Sequence, residues 1–179
     1  MVGSFEPRKN VSVAIDAFSR ICHGGPELKL LLVGKENEYQ RQMIRKVKEL
    51  KLEETVLFPG YIPDHELSIL YSVATALLFP SSAEGFGLPI IEAMATGCPI
   101  IASSLPVFHE IGGDAVVYVP PGNEAALADE MARMLEDPAH RGGLVLNGMS
   151  RSLNYSWDHA AEETVRVYVK VLKKRNVDF

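Results

Sequence analysis

Residues 81–94 read SSAEGFGLPIIEAM and mark a turn from a strand into a helix. An apolar run ends at Phe79, two glycines lie in the turn, and Pro89 falls in the first turn of the predicted helix. Proline suits that position because its missing N–H would have no partner within the helix. Gly97 is predicted to end the helix, where a left-handed residue is favoured. The turn therefore directs free N–H groups and the positive end of a helix dipole into the same cleft, as a phosphate site requires.

Short apolar runs alternate with segments of helical period along the rest of the chain. Continuous apolar runs are typical of strands covered on both faces, and we predict strands at Leu28–Val33, Val56–Phe58, Ala76–Phe79, Pro99–Ala102 and Ala115–Val119. Helices are predicted for Val11 to Ile21, Tyr39 to Leu50, His65 to Val73, Pro89 to Ala95, Glu124 to Leu135 and Trp157 to Leu172. This order predicts an α/β fold with a doubly wound parallel sheet, Rossmann-like, that binds ligands beyond the carboxyl ends of its strands.

Small residues follow several predicted strands, at Val33-Gly34, Phe58-Pro59-Gly60, Phe79-Pro80-Ser81 and Ala102-Ser103. They would let a ligand approach the backbone at this edge of the sheet, which we call the carboxyl edge. Val2-Gly3 is interpreted as the end of one more strand, central in the sheet. A chain that begins inside a strand is expected of a polypeptide cut at a domain boundary.

Two glutamates, Glu84 and Glu92, flank the glycine turn. A carboxylate can accept hydrogen bonds from two adjacent hydroxyls, which suits the diol of a ribose or a hexose. Glu92 could instead only complement the helix dipole, and Glu84 could be a solvated loop charge. A glycosidase would also need two carboxylates, but it would need no phosphate site.

A second loop, Gly3 to Asn10, carries Arg8 and Lys9 just before the first helix. Asn10 is placed to cap that helix. Cations are favoured at the opposite end of a helix, so a bound diphosphate would explain this pair. Two solvated surface charges are the alternative.

Composition narrows the function classes. The 179 residues suit a single domain spanning 1–179. A net charge of -5 argues against a nucleic-acid partner. Cys22 and Cys98 predict reduced, buried thiols in a cytoplasmic protein, and no stretch is long enough to cross a bilayer.

No metal or cofactor is predicted, because the histidines lack ligand spacing: His23, His65, His109, His140 and His159. An NAD-type domain is disfavoured because no G-x-G-x-x-G follows the first strand.

Glu84 and Glu92, with seven residues between them inside an EGFGLP turn, resemble the signature of the retaining group 1 glycosyltransferases, which have the two-domain GT-B architecture. The likeness covers nearly the whole chain, in order. It includes Gly3 to Phe18, Leu31 to Gly34, Phe58 to Tyr61 with Pro63 and Leu67, Leu70-Tyr71, Glu92 to Gly97, Pro99 to Ser103, Gly112 to Ala115, Pro120 and Ser156-Trp157.

The resemblance implies a role for each matching position. Lys9 would bind the diphosphate and stabilise it as it leaves, Glu84 would contact the transferred sugar, and Glu92 would take the ribose hydroxyls. The donor-binding residues it implies are Gly3, Tyr61, Ile62, Glu84, Gly85, Phe86, Gly87, Leu88 and Glu92, and those with catalytic roles are Lys9, Glu84 and Arg8. Within that set, the backbone at 86–88 would hold the sugar and distal phosphate, and residues 60–62 would flank the base.

The chain departs from the family pattern at Ser4, where many relatives carry arginine. Arg8 is the candidate for that second cation, as in the Pro-Arg-Lys-Asn variant of the family. The resemblance implies that the family's amino-terminal domain, which binds the acceptor, is missing from these residues. The chain alone is therefore expected to bind a nucleotide-sugar donor but to catalyse poorly, and any peripheral membrane attachment is expected through the absent domain. The amphipathic segment Ser156 to Lys174 would run toward that domain, and apolar surface exposed there would favour self-association.

The resemblance predicts transfer of a hexose to a glycan or lipid-linked acceptor with retention and without an obligatory metal. The Pro-Arg-Lys-Asn variant favours a mannosyl-type donor in polysaccharide biosynthesis. The alternative is a non-catalytic nucleotide-sugar-binding module, or a subunit of a split enzyme that works with a separate partner chain.

Overall fold

The computed structural model describes residues 1–22 and 28–174. In those ranges the strands are β1 (Leu30–Val33), β2 (Val56–Gly60), β3 (Leu77–Phe79), β4 (Ile100–Ser103) and β5 (Val117–Val119). The helices are α1 (Val11–Ile21), α2 (Glu38–Glu49), α3 (Asp64–Val73), α4 (Leu88–Ala95), α5 (Pro106–Gly112), α6 (Glu124–Glu136), α7 (Pro138–Ser152) and α8 (Trp157–Lys174). Single 3₁₀ turns form at Pro7–Lys9 and Gly113–Ala115.

The strands pair in parallel, which confirms the predicted fold class. β1 pairs with β2, and β4 lies between β3 and β5. Val2 forms a parallel bridge to Val33 on the edge of β1 away from β2, and its side chain packs against the core next to β3. Val2 therefore lies beside β1, as predicted. Among the described residues no bridge joins it to β3, so the strands form a two-stranded and a three-stranded parallel sheet rather than one continuous sheet with Val2-Gly3 at its centre.

Alternation along β3 and β4 shows that helices cover both faces of the sheet. Leu77 and Phe79 lie in one core cluster with residues of α3, α4 and α5. Leu78 and Ile101 point the other way, into a cluster with residues of α1, α2 and α6. A strand exposes successive side chains to opposite faces, so burial on both faces requires the continuous apolar runs that the sequence contains.

Two helices were not predicted, α5 and α7. α7 contains Gly142, Gly143 and Gly148, and glycine lowers helix propensity by about 1 kcal/mol relative to alanine. Its start is nevertheless well encoded, because the Asp137 side chain accepts a hydrogen bond from the His140 N–H at 2.9 Å and Pro138 occupies the first turn. α7 packs along α4 and thereby supports the helix that begins the candidate site.

Asn10 occupies the N-cap position of α1, as predicted, and its carbonyl oxygen accepts a hydrogen bond from the Ala14 N–H at 3.1 Å. Its backbone is left-handed, with φ of 52°, and its side chain makes no capping hydrogen bond, so the expected side-chain cap does not form. The amide instead donates to the Pro80 carbonyl oxygen at 2.8 Å. Asn10 therefore connects the first loop to the loop after β3.

An apolar cavity of about 340 Å³ lies away from the carboxyl edge. It is lined by the first residues of β1 and β3 together with Val2 and Tyr71, toward the amino ends of those strands. Cavity size thus gives no guide to a ligand site here, and the arrangement of charged and small residues has to be considered instead.

Three further observations bear on the composition. No helix of the described ranges is both long and apolar enough to span a membrane. Among the described residues no group of three or more His, Cys, Asp or Glu is placed to hold a metal; His23 lies outside the described residues. Both cysteines are free. Cys98 is buried, which raises the pKa of its thiol to about 11, whereas Cys22 is only half-buried, so the prediction of two buried thiols holds for Cys98 alone.

Candidate functional site

The β3–α4 turn has the predicted form. β3 ends at Phe79, and α4 begins at Leu88, one residue before the predicted start at Pro89. Gly87 precedes the helix with φ of +125°, and a Cβ there would lie 3.2 Å from the Phe108 ring. The backbone conformation and the packing against Phe108 are therefore enough to explain glycine at this position, without any ligand. The positive end of α4 points out of the turn toward the carboxyl edge.

Gly85 differs from Gly87. A Cβ added at Gly85 would meet nothing within 4 Å, and its backbone is not left-handed. No contact within the protein accounts for glycine here, and the turn is open to solvent at this point. Space of this kind lets a ligand approach the backbone, as the sequence argument expects.

Backbone hydrogen bonds join the two predicted loops. The Ser82 N–H donates to the Arg8 carbonyl oxygen at 2.7 Å, next to the bond from Asn10 to the loop after β3. Lys9 extends back toward Gly3, where a Cβ would lie 3.6 Å from the Lys9 Nζ. The Lys9 ammonium also lies 4.9 Å from the centroid of the Phe79 ring. These contacts place the basic pair beside the glycine turn.

Glu84 forms ion pairs with both cations. Its Oε1 lies 2.6 Å from Lys9 Nζ and its Oε2 lies 2.8 Å from Arg8 NH1. The Glu84 and Lys9 side chains are only 10% and 12% exposed, so solvent screens this pair weakly. Partial burial works to raise the pKa of Glu84, but hydrogen bonds from Lys9 and Ser81 and the charge of Lys9 outweigh it, so the net pKa is lowered. Glu84 is therefore a permanent anion near neutral pH.

Arg8 is held from two sides. Besides Glu84, it contacts the Ala83 carbonyl oxygen at 3.1 Å, and its Nε donates to Glu6 at 2.7 Å. The Ser4 hydroxyl donates to the other oxygen of the same Glu6 carboxylate. Hydrogen bonds from Ser4 and then Arg8 lower the pKa of Glu6. Ser4, the position where the family pattern expects arginine, thus supports the carboxylate that holds Arg8.

Glu92 lies on α4, apart from this ion-pair cluster. Among the described residues, Arg8 and Lys9 pair with Glu84 and Glu6 but not with Glu92. Glu92 is exposed, and its Oε2 accepts a hydrogen bond from the buried Tyr71 hydroxyl at 3.1 Å. The structure therefore brings Gly3, Arg8, Lys9 and Glu84 into one cluster and leaves Glu92 as a separate acceptor.

The remaining predicted residues present apolar surface. Tyr61 follows β2 and is 62% exposed, with Lys35 Nζ 5.6 Å from its ring centroid. Ile62, next to it, is half-buried. Phe86 and Leu88, in the glycine turn, are 47% and 44% exposed. These side chains are not used in the core, so they remain available to a ligand.

Three groups of contacts could not be predicted from the sequence. In the first, Glu6 accepts hydrogen bonds from Ser4 and Arg8. In the second, Arg8 and Lys9 both pair with Glu84, and in the third the Tyr71 hydroxyl donates to Glu92. The helical period of α3 could have indicated that Tyr71 faces inward. No local signal shows which carboxylate its hydroxyl would reach.

Comparison with known proteins gives a consistent result. The sequence model described as "Glycosyl transferases group 1" matches residues 1–150. O-antigen chain mannosyltransferase B of Escherichia coli is 29% identical over 93% of this chain and 44% of its own length. Phosphatidyl-myo-inositol mannosyltransferase of Mycobacterium leprae is 32% identical, again over 93% and 44%. The chain thus spans less than half of the curated relatives it matches.

Solved structures show the same fold. Sucrose-phosphate synthase of Thermosynechococcus elongatus superposes with a TM-score of 0.88 and 32% identity, over 97% of this chain and 45% of that one. HepE of Anabaena, solved in complex with UDP, superposes with a TM-score of 0.82 and 22% identity, over 96% and 48%.

Proposed function

This chain belongs to the group 1 glycosyl transferases, and from that premise we propose that it is the donor-binding domain of a retaining enzyme. It would bind a nucleoside-diphosphate hexose that is transferred to a glycan or a lipid-linked acceptor. The single observation that carries the proposal is the cluster in which Arg8 and Lys9 meet Glu84 beside the open glycine turn.

The cations in this cluster can bind Glu84 and a diphosphate together. An ammonium has three N–H donors and a guanidinium has five, and in each case one ion pair to Glu84 uses only some of them. Glu84 would thus hold both cations in place while phosphate oxygens take the free donors. N–H groups at the start of α4, from Phe86 to Leu88, would add their partial positive charge.

The same arrangement suits the chemistry of sugar transfer. Negative charge grows on the diphosphate as the bond to the anomeric carbon breaks. Donors placed to meet that growing charge stabilise the transition state more than the ground state. The leaving group would be stabilised by Lys9, Arg8 and the helix dipole, so the proposed mechanism requires no resident metal.

Glu84 is poorly suited to the glycosidase alternative. A glycosidase general acid needs a raised pKa so that it is protonated near neutral pH. The pKa of Glu84 is lowered instead. We propose that Glu84 acts as an ionised acceptor for hydroxyls of the transferred sugar, that Glu92 accepts from the ribose, and that Tyr61 and Ile62 flank the base.

The names of the relatives support a mannosyl donor, because both curated relatives described above are mannosyltransferases. They are more than twice as long as the matched region. We therefore propose that transfer needs an additional amino-terminal domain that binds the acceptor, and that the chain by itself binds donor but transfers little. Self-association through α8, whose Trp157, Val165 and Tyr168 are exposed, belongs to the same proposal.

Calorimetric titration of the chain with UDP, GDP and ADP and with the matching monophosphates tests the function. The diphosphate of the preferred base should bind at least tenfold more tightly than its monophosphate, because one charge-assisted hydrogen bond contributes about 1.5–3 kcal/mol. Equal affinities for diphosphate and monophosphate in all three pairs would exclude the assigned diphosphate site.

Replacing Gly85 by alanine should weaken diphosphate binding without affecting stability. The new methyl group meets no protein atom within 4 Å, but it would occupy space through which the ligand reaches the backbone. We expect affinity to fall by about tenfold, as a shift of about 1.4 kcal/mol, with an unchanged urea midpoint. Gly142→Ala is the matched control, because that position on α7 is equally open; it should leave affinity unchanged. Wild-type affinity in Gly85→Ala would show that no ligand approaches this turn.

A further inference from the structure

Tyr71 is the buried residue of α3 and the partner of Glu92. Its side chain lies in the core cluster next to β3 and is 3% exposed. Its hydroxyl donates to Glu92 Oε2, on α4, at 3.1 Å. A tyrosine hydroxyl buried in this way usually has a specific partner, and here that partner is a residue of the proposed donor site.

The two side chains differ in burial. The Tyr71 ring is buried among core residues that include Leu77 and Met94 and also borders the apolar cavity described above. Glu92 is exposed, and a free glutamate side chain loses conformational entropy when it is ordered. A bond to a buried hydroxyl orders the carboxylate before any ligand arrives, which reduces the entropy that binding would otherwise lose.

The proton on Tyr71 is retained over the working pH range. Burial, followed by the negative charge of Glu92, raises the pKa of the Tyr71 hydroxyl far above its ordinary value. The hydroxyl is therefore always the donor in this pair, to Glu92 Oε2. Within residues 1–22 and 28–174, no hydrogen bond to Glu92 Oε1 is formed.

We propose that Tyr71 is a positioning residue that orients Glu92 so that its free oxygen accepts hydrogen bonds from the ribose hydroxyls of the donor. This inference rests on the proposed function, in particular on the role of Glu92. Tyr71 itself touches no substrate. Its contribution is the discrimination between a ribonucleotide and its 2′-deoxy analogue, because an oriented acceptor favours a ligand that supplies both hydroxyls.

Tyr71→Phe tests the inference, because it removes the hydroxyl and keeps the ring. Binding of three probes would be measured by calorimetry: the preferred ribonucleoside diphosphate, its 2′-deoxy form, and inorganic pyrophosphate. In Tyr71→Phe the affinity for the ribonucleotide should fall by about three- to tenfold, the scale of one hydrogen bond. The ratio of ribo to deoxy affinity should shrink toward one, while pyrophosphate affinity should stay unchanged and show that the site is still folded.

Glu92→Ala distinguishes the proposed ribose contact of Glu92 from the proposed role of Tyr71. If the wild-type ratio is already near one, or if Glu92→Ala preserves it, the ribose contact and this inference both fail. If Glu92→Ala loses the ratio while Tyr71→Phe keeps it, the proposed function stands and only the role of Tyr71 is overturned. In the double variant, the Tyr71 change should have no further effect.

Tyr155→Phe is the matched control. Its hydroxyl donates to the Ile111 carbonyl oxygen at 3.2 Å, and its ring packs against the same core cluster. That variant loses a hydroxyl of similar type without touching the site carboxylates. It should therefore keep the wild-type ribo-to-deoxy ratio, and a loss equal to that in Tyr71→Phe would mean that the effect comes from general loosening of the core.

Discussion

Lys9→Ala is expected to lower the affinity of this chain for a nucleoside diphosphate by about 10- to 100-fold. The lost charge-assisted bond contributes about 1.5–3 kcal/mol. A second effect acts in the same direction. Glu84, only 10% exposed, is left with Arg8 as its one cationic partner among the residues that form the cluster, so its negative charge repels the incoming phosphates more strongly. Calorimetric titration of both proteins with the preferred diphosphate measures the change.

In an enzyme that joins this chain to an acceptor domain, the same change should reduce kcat by about 10²–10³-fold. Removal of one donor to a charge that grows in the transition state has this scale. The loss should appear in kcat as well as in KM, because the charge on the leaving diphosphate is larger in the transition state than in the bound donor.

Lys46→Ala provides the matched control. Lys46 Nζ pairs with Asp16 Oδ2 at 2.7 Å, and its side chain is 26% exposed, so the variant also removes a partly buried lysine from a carboxylate. That pair joins α1 to α2 and contacts none of the proposed site residues. Diphosphate affinity should therefore match wild type. Equal losses in the two lysine variants would show that Lys9 acts through general charge or stability.

Gly34→Ala is expected to have the largest effect on stability, with a loss of about 1–3 kcal/mol or more from overpacking. A Cβ at Gly34 would lie 2.1 Å from the Gly3 carbonyl oxygen and 3.0 Å from the Phe5 ring. The obstructing atom belongs to the backbone. It cannot move aside easily, because the Gly3 N–H donates to the Val33 carbonyl oxygen at 3.0 Å. Urea denaturation should show a lower midpoint.

The same variant should also weaken diphosphate binding, since Gly3 lies against the Lys9 ammonium and any shift of Gly3 displaces that charge. Gly143→Ala is the control, because a Cβ there meets nothing within 4 Å and the position lies within α7. Alanine is a better helix former than glycine, so this variant should be as stable as wild type or slightly more so. An unchanged urea midpoint for Gly34→Ala would contradict the close approach of the two backbones.

The predicted elements that were confirmed depend on local signals. All five strands were confirmed, because each contains a short apolar run. β3 and β4 are buried throughout, whereas β2 exposes Leu57. The starts of β1 and β5 were predicted two residues too early, at Leu28 and Ala115, and the end of β2 two residues too early, at Phe58. α5 was not predicted because it is a single short segment. α7 was not predicted because its glycines lower helix propensity, although Asp137 and Pro138 mark its start. Asn10 was placed correctly at the N-cap of α1, but its side chain does not cap the helix. Asparagine is favoured both at caps and in the left-handed conformation that it adopts here.

The sequence by itself determined the order of the five strands and of six helices, the form of the β3–α4 turn and the presence of two cations before α1. Only the tertiary structure decided which charges meet. Arg8 and the Ala83 carbonyl are 75 residues apart in the chain yet 3.1 Å apart in space. The hydrogen bond from Tyr71 to Glu92 joins α3 to α4. Periodicity and turn residues act over a few positions, whereas these contacts depend on how the sheet and its helices pack. The energy of an ion pair depends on the distance between its charges, and the packing sets that distance.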